Sequence, residues 1–191
     1  MFGRITFHVS LAYNVVLERL SIRQWYTRID ETIILGALPW KSIATELVEK
    51  EKVAGVVSMN ESYELKRWVP SPEEWNNLGV KFLQLPTPDI FHAPSQENLD
   101  RGVAFINPFD GSGKSVYVHC KAGRTRSATL VGCYLMAKHG WQAEEAVSFM
   151  KSRRKHVLLH STQWNALRAY HERRIVKKAI NVDETAHASL K

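Results

Sequence analysis

The stretch VHCKAGRTRS, residues 118–127, places a cysteine, a glycine, three basic residues and a serine at the end of an apolar run. Cys120 opens the polar part, and Arg126 follows six positions later. A thiol close to arginine side chains and backbone N–H groups loses its proton more easily than a free thiol and becomes a nucleophile. A planar guanidinium can bind two oxygens of a tetrahedral dianion. The stretch therefore predicts a cysteine nucleophile inside a phosphate-binding loop, rather than a buried thiol without a chemical role.

The residues between Cys120 and Arg126 have the composition of an anion-binding loop. Gly123 allows a tight turn, so that successive N–H groups can point into one concavity. The helix predicted to begin near Ser127 adds the positive end of its dipole. The Ser127 hydroxyl can hydrogen-bond the thiolate and assist its later departure, so we predict catalytic roles for Cys120, Arg126 and Ser127. The loop interior is expected to bind the substrate phosphate: Lys121, Ala122, Gly123, Arg124 and Thr125.

Strand and helix patterns alternate along the chain and give the loop its setting. The continuous apolar runs VAGVVSM (53–59) and SVYVH (115–119) are typical of strands buried on both faces of a sheet. The amphipathic stretch KSIATELVEKEK (41–52) predicts one of the intervening helices. This alternation predicts an α/β fold with a mostly parallel central sheet flanked by helices. Binding sites of such sheets lie at the carboxyl ends of the strands, and Cys120 directly follows a predicted strand.

The loop resembles the signature H-C-x5-R-S/T of the cysteine-based protein tyrosine phosphatase superfamily. His119, Cys120, Arg126 and Ser127 match it, with an apolar strand before the loop and an apolar helix after it. The resemblance implies a dual-specificity phosphatase-like fold and hydrolysis of a phosphomonoester through a phosphocysteine intermediate, with no cofactor and no metal. Rhodanese-like domains also place a cysteine in such a loop, but the full pattern suits the phosphatases better.

The family mechanism also needs a general acid, because an alkoxide leaves poorly unless it is protonated. In small dual-specificity members this acid is an aspartate on the loop after the preceding strand, some thirty residues before the cysteine. Asp89 lies at that place, in the proline-rich loop PTPDIFHAPS (86–95). The alternative is that Asp89 only caps a turn, as aspartate commonly does after proline. We predict the acid role.

Three longer stretches narrow the resemblance. WYTRIDETIILGALPW, GVVSMNESYE and VHCKAGRTRSATLV resemble the mitochondrial phosphatases that dephosphorylate phosphatidylglycerophosphate for cardiolipin synthesis, and the similarity runs from about Trp25 to about Tyr170. That family carries a Glu-Glu-Tyr-Glu stretch near its site. Here Glu61, Tyr63 and Glu64 match it, whereas Ser62 departs from it. The resemblance implies that the three matching residues take part in substrate binding.

The net charge of +7 favours anionic partners without choosing among them. Residues 1–24 show amphipathic spacing, carry Arg4, Arg19 and Arg23, and have no acid before Glu18. This is typical of a mitochondrial presequence or of a helix on a membrane surface. The alternative is a first helix packed on the domain. We predict a targeting or membrane-associating segment over 1–24, a phosphatase domain over 25–178 and a polar tail over 179–191. The expected location is the matrix face of the mitochondrial inner membrane.

These features leave three functions open. The first is hydrolysis of an anionic phospholipid, most specifically phosphatidylglycerophosphate, at that membrane surface. The second is a dual-specificity protein phosphatase, and the third is an inactive phospho-ligand-binding module. Nucleic acid is not an expected partner. Cys133 lies among apolar residues of a predicted helix and is expected to be core, while His160 and Gln163 either line the pocket or only begin a helix.

Overall fold

The computed structural model describes residues 24–66, 68–89 and 91–176. A five-stranded sheet with strand order β1-β2-β5-β3-β4 forms its centre. Strands β2 to β5 pair in parallel, and β1 pairs antiparallel with β2 at one edge. This confirms the predicted mostly parallel sheet. The strands are β1 (Tyr26–Arg28), β2 (Ile33–Gly36), β3 (Val53–Ser58), β4 (Lys81–Gln84) and β5 (Ser115–His119).

Helices cover both faces of the sheet. The helices are α1 (Lys41–Glu49), α2 (Ser62–Leu65), α3 (Pro72–Asn77), α4 (Gln96–Ile106), α5 (Arg126–His139), α6 (Ala143–Arg153) and α7 (Ser161–His171). A 3-10 turn, Asn107–Phe109, follows α4, and a π turn, Glu172–Val176, follows α7. No helix within the described ranges is long and apolar enough to cross a membrane.

Side chains that alternate along the strands divide the core into two layers. Ile33 and Leu35 of β2 join the larger cluster, which is built with helices α4 to α7. Ile34, between them, joins the smaller cluster on the opposite face, where Leu47 of α1 and Trp75 of α3 also lie. All five side chains are fully buried. The central strands are thus buried on both faces, as their continuous apolar runs predicted.

The sequence patterns do not predict two of the elements, β1 and α2. β1 has only three residues, too few for its alternation to be read, and it is recognised only by its pairing with β2. α2 is a single turn closed by a capping box, in which the Glu61 side chain accepts from the backbone N–H of Glu64 and the Glu64 side chain accepts from that of Glu61. α5 begins at Arg126, one residue before the predicted start.

The register of the sheet brings the site loops together. His119 at the end of β5 pairs with Gly36 at the end of β2 and with Ser58 at the end of β3. Ser58 in turn pairs with Gln84 at the end of β4. The four loops that follow these strands therefore leave the sheet side by side at one edge. The predicted segments 1–24 and 179–191 lie outside the described residues, apart from Gln24.

Cys133 of α5 lies in the larger core cluster, where it is fully buried. Burial raises the pKa of its thiol well above the usual value, so that it stays protonated and apolar in character. We predict that Cys133→Ser lowers the free energy of unfolding by about 1–3 kcal/mol, because a hydroxyl needs a hydrogen-bond partner that a core seldom provides. Urea unfolding measures this. Cys133→Ala is the matched control with a smaller loss, and equal losses in both variants would contradict the argument.

Candidate active site

Cys120 follows β5 directly and is only 3% exposed. Burial alone would raise the pKa of the thiol, but the charge of Arg126, the Ser127 hydroxyl and the backbone N–H groups of Ser127 and Arg124 together lower it below the usual value. The Ser127 hydroxyl donates to Sγ of Cys120 over 3.2 Å. The structure therefore places the thiol where its ionised form is stabilised, which is the condition for a nucleophile at neutral pH.

Four carbonyl groups of the loop, from Lys121 to Arg124, each accept from a donor outside the loop. The carbonyls of Lys121 and Arg124 accept from the backbone N–H groups of Leu38 and Leu158. Those of Ala122 and Gly123 accept from the guanidinium of Arg154. With the carbonyl oxygens engaged outside, the N–H groups of the same peptides are left for the inside of the loop. This is the geometry of a backbone nest that binds an anion.

Arg154, which follows α6, supports the loop from behind and was not identified from the sequence. It is 2% exposed. Its Nε donates to the Gly123 carbonyl over 2.9 Å, and its Nη1 donates to the Thr27 hydroxyl over 2.9 Å and to the Gln24 carbonyl over 3.1 Å. One side chain thus connects the loop to the β1 region. The run KSRRK (151–155) reads as a solvated basic helix end, so only the fold shows which of its arginines is buried.

Gly123 is required at its position by both conformation and space. Its φ is +62°, in the left-handed region that favours glycine. A Cβ there would lie 2.5 Å from the carbonyl carbon and oxygen of Gly36. The loop therefore packs against the end of β2 at backbone distance, which a side chain would prevent.

Arg126 is fully buried and forms a two-point ion pair with Glu64. Nη1 lies 2.7 Å from Oε2 of Glu64, and Nη2 lies 3.0 Å from Oε1. Oε2 also accepts from the backbone N–H of Glu61 over 2.8 Å. Burial works against the charged form, but the hydrogen bonds with Glu64 and the charges of Cys120, Glu64 and Asp89 raise the pKa of Arg126 above its ordinary value. The guanidinium is therefore charged and fixed in orientation.

The remaining donors of Arg126 show how the site can receive an anion. Nη1 also donates to the Thr87 carbonyl over 2.8 Å and lies 3.4 Å from the Met59 carbonyl. Nη2 lies 3.1 Å from Oδ1 of Asp89. For Nε, no acceptor is found among the residues that the structure describes. A buried donor without a partner costs about 1–3 kcal/mol, which a phosphate oxygen at this position would offset.

Asp89 lies over the loop, as expected from its place after β4. Its carboxylate forms ion pairs with Arg126 and with Nζ of Lys121. The segment that carries it is tied to α7: the Thr162 hydroxyl donates to the Phe91 carbonyl over 3.1 Å, and Nε2 of Gln163 donates to the His92 carbonyl over 2.8 Å. Gln163 is fully buried, so it supports the Asp89 loop in addition to capping its helix.

The other predicted site residues lie around the same loop. Arg124 Nε donates to the His156 carbonyl over 3.0 Å, which ties this side chain to the α6–α7 connection. The Thr125 hydroxyl donates to the Leu158 carbonyl over 3.0 Å. Tyr63 packs on a third apolar cluster, formed by Leu38 and Val69. Burial, followed by the charges of Glu64 and Glu61, raises the pKa of its phenol.

Glu64 has contacts that the sequence did not predict. Both of its carboxylate oxygens hold Arg126, and one of them also closes α2; its part in substrate binding stays a prediction. Its contacts are those of a residue that positions Arg126. His119 is also buried, and burial lowers its pKa to about 3. The ring is neutral, so the positive charge near Cys120 comes from Arg126.

Comparisons with known proteins agree with this geometry. The family model described as the dual specificity phosphatase catalytic domain matches residues 40–173. The rat protein named phosphatidylglycerophosphatase and protein-tyrosine phosphatase 1 is 41% identical over 182 residues, which cover 94% of each chain. The Arabidopsis thaliana phosphatidylglycerophosphate phosphatase PTPMT1 is 39% identical over 175 residues, which cover 91% of this chain and 51% of the plant protein.

Solved structures lead to the same family. The crystal structure of PTPMT1 in complex with PI(5)P has a TM-score of 0.79 and 42% identity, and the match covers 82% of this chain and 99% of that chain. Tk-PTP in its active form has a TM-score of 0.70 and 30% identity, with coverages of 78% and 97%. The strand-end cysteine, the loop around it and these similarities together show that the chain belongs to the dual-specificity phosphatase family of cysteine-dependent phosphatases.

Proposed function

We propose that the protein hydrolyses phosphatidylglycerophosphate to phosphatidylglycerol and phosphate through a phosphocysteine intermediate. The observation that carries this proposal is the site in which Asp89, on the loop after β4, meets the loop of Cys120 and Arg126. The chain is also about 40% identical over most of its length to phosphatases named for that lipid. The proposal adds the substrate and the residue roles to the family's phosphatase activity.

In the first step, the Cys120 thiolate attacks the phosphorus atom. An S–P bond forms while the P–O bond to the glycerol oxygen breaks, and the protonated carboxyl of Asp89 gives its proton to that oxygen. The loop N–H groups and Arg126 bind the three non-bridging phosphate oxygens. Because the leaving group is an alcohol, the proton from Asp89 has a large effect on this step.

In the second step, water attacks the phosphocysteine. The Asp89 carboxylate takes a proton from the water, an O–P bond forms, and the S–P bond breaks to release the thiolate. The Ser127 hydroxyl, 3.2 Å from Sγ, donates to the departing sulfur and stabilises its charge. Inorganic phosphate then leaves, and Asp89 is protonated again for the next cycle.

In this scheme Asp89 has two roles, as a partner of Arg126 without substrate and as the general acid once substrate is bound. In the structure its carboxylate lies 3.1 Å from Nη2 of Arg126. A phosphate dianion that binds Arg126 competes with it for this donor, and the negative charge of the phosphate favours the protonated carboxyl beside it. Substrate binding thereby turns a partner of Arg126 into an acid that faces the leaving oxygen.

Two observations support a phospholipid as the substrate of this protein. Lys121 and Arg124 add positive charge inside the loop, which suits a head group with a second phosphate besides the reacting one. The named relatives act on phosphatidylglycerophosphate, and a similar structure holds PI(5)P. We also propose the matrix face of the mitochondrial inner membrane as the location, supported by the presequence-like composition of residues 1–24.

A protein phosphatase activity is the second candidate, because the names of the mammalian relatives include protein-tyrosine phosphatase. We expect the purified enzyme to hydrolyse phosphatidylglycerophosphate faster than tyrosine-phosphorylated peptides and phosphoinositides at matched concentration, as measured by phosphate release. Cys120→Ser should show no turnover on any of them, because a hydroxyl is far less acidic than this thiol. Faster release from phosphopeptides would replace the proposal with the protein-phosphatase function. Turnover by Cys120→Ser would overturn the mechanism.

The Ser127 hydroxyl contributes to the low pKa of Cys120, which gives a test with a definite sign. The reactive form is the thiolate, so the rate rises as pH increases through the thiol pKa. Ser127→Ala removes one stabilising donor and raises this pKa. The acidic limb of kcat/KM and of alkylation by iodoacetamide should therefore move to higher pH. Ser152→Ala, which changes an exposed hydroxyl elsewhere, should leave both profiles in place. An unshifted alkylation profile in Ser127→Ala would refute the assignment.

Asp89→Asn tests the general acid. The variant should lose the alkaline descending limb of the rate profile and slow alkyl phosphates by about 10²–10⁴. Aryl phosphates with good leaving groups need less protonation and should lose less. The matched control is Asp100→Asn, since Asp100 is paired with Arg173 and Arg174 in the helical part of the fold. Equal losses on alkyl and aryl substrates would mean that Asp89 only maintains the loop.

A further inference from the structure

Large apolar side chains on the surface are concentrated at the edge of the sheet that holds the site. Within the described part of the chain, the exposed ones are Phe91 at 76%, Trp68 at 49%, Leu158 at 42% and Leu78 at 39%. The first three lie on loops around the phosphate-binding loop, and we name them the apolar rim. Leu78 lies between α3 and the start of β4, at the opposite edge of the sheet.

Each member of the apolar rim is held by the loops of the site. Trp68 follows α2, and its ring stands edge-on to Trp40 at 6.0 Å. Phe91 comes two residues after Asp89, and α7 fixes its backbone. The backbone of Leu158 is bound to the phosphate-binding loop: its N–H donates to the Arg124 carbonyl, and its carbonyl accepts from the Thr125 hydroxyl. The rim therefore approaches the loop from the β3 side, the β4 side and the α6–α7 connection.

Single exposed apolar residues are ordinary on soluble proteins and need no explanation. Their concentration around one opening does need one, because each is supported by backbone contacts that keep it there. A small, polar phosphate ester has little apolar surface to bury against such surroundings. A phospholipid has its phosphate at the polar surface of a bilayer, so an enzyme that reaches it must bring the edge of its site into contact with the lipid interface.

Charge around the apolar rim fits an anionic bilayer. Lys66 precedes Trp68 by two positions, Lys155 precedes Leu158 by three, and both lysine side chains are exposed. The acids Glu64 and Asp89 of the same loops are instead bound to Arg126 in the site. Tryptophan and other amphipathic or apolar groups favour the head-group region, and each lysine near an anionic surface adds attraction.

We propose that Trp68, Phe91 and Leu158 insert into the head-group region of an anionic bilayer and dock the phosphate-binding loop against it, with Lys66 and Lys155 on the lipid phosphates. This inference rests on the proposed phospholipid substrate and deepens it, because it names the residues that let the site reach a lipid without extracting it. It requires no contact from residues 1–24.

The test compares the full chain with a variant that carries Trp68→Ser, Phe91→Ser and Leu158→Ser. Binding is measured by sedimentation with vesicles of phosphatidylcholine and phosphatidylglycerol in equal amounts. Turnover on vesicle-bound phosphatidylglycerophosphate is divided by turnover of a soluble aryl phosphate for each variant, so that damage to the site cancels. We expect vesicle affinity and this ratio to fall about tenfold or more, since three apolar side chains lose their burial in lipid. Phe91→Ser alone should act in the same direction with a smaller effect.

Leu78→Ser is the matched control, because it removes an exposed leucine from the opposite edge and should change neither measurement. Any of three results would overturn the proposed role of the apolar rim: unchanged vesicle binding in the triple variant, an equal loss in Leu78→Ser, or a wild-type chain that does not bind these vesicles. If the wild-type chain forms a dimer and the triple variant does not, the apolar rim would instead be a contact surface for a second copy of the chain. Dispersed short-chain phosphatidylglycerophosphate separates the two proposals, because its hydrolysis does not need the apolar rim. Slow hydrolysis of this dispersed lipid would contradict the proposed substrate. The docking surface is decided by vesicle binding alone.

Discussion

The buried guanidinium of Arg126 is the group on which the rest of the site depends. An isolated charge in this position would be very costly, so the fold must pair it. Glu64 does so with both carboxylate oxygens, and the carbonyl of Thr87 and the carboxylate of Asp89 complete the arrangement. The loops after β3, β4 and β5 are therefore joined at one cation. Its charge then lowers the pKa of Cys120 and supplies the donors that a phosphate needs.

Support from outside keeps the phosphate-binding loop in a shape that its own residues do not impose. Six residues between a strand and a helix have many conformations, and N–H groups that converge on one point repel one another. Arg154 counters this by drawing the carbonyls of Ala122 and Gly123 outward, while Gly123 packs against Gly36 at backbone distance. The loop is thus prepared for an anion before one arrives, which is the form of electrostatic preorganisation that makes such sites effective.

The loops that hold the charged groups of the site also form the surface around its opening. The elements that carry Glu64, Asp89 and the contacts to Arg124 also carry Trp68, Phe91 and Leu158 at the rim. For Trp68 and Phe91 this follows from the parallel pairing of β2 to β5, which all end at one edge, so that the loops with Glu64 and Asp89 also form the rim of the opening. The same short loops therefore carry charged groups toward the inside of the site and apolar side chains on its outer rim.

The sequence by itself determined the α/β class, the strand before Cys120 and the loop that ends at Arg126, because these depend on local periodicity and on residues close together in the chain. The place of Asp89 was implied by the family resemblance. It did not reveal β1, the role of Glu64 or the burial of Arg154. Those depend on partners far apart in sequence: Glu64 and Arg154 are polar residues in solvated-looking stretches, and only the tertiary structure brings them to Arg126 and to the loop carbonyls. Burial of a charge is decided by which opposite charge or carbonyl the fold places beside it, and no local pattern contains that information.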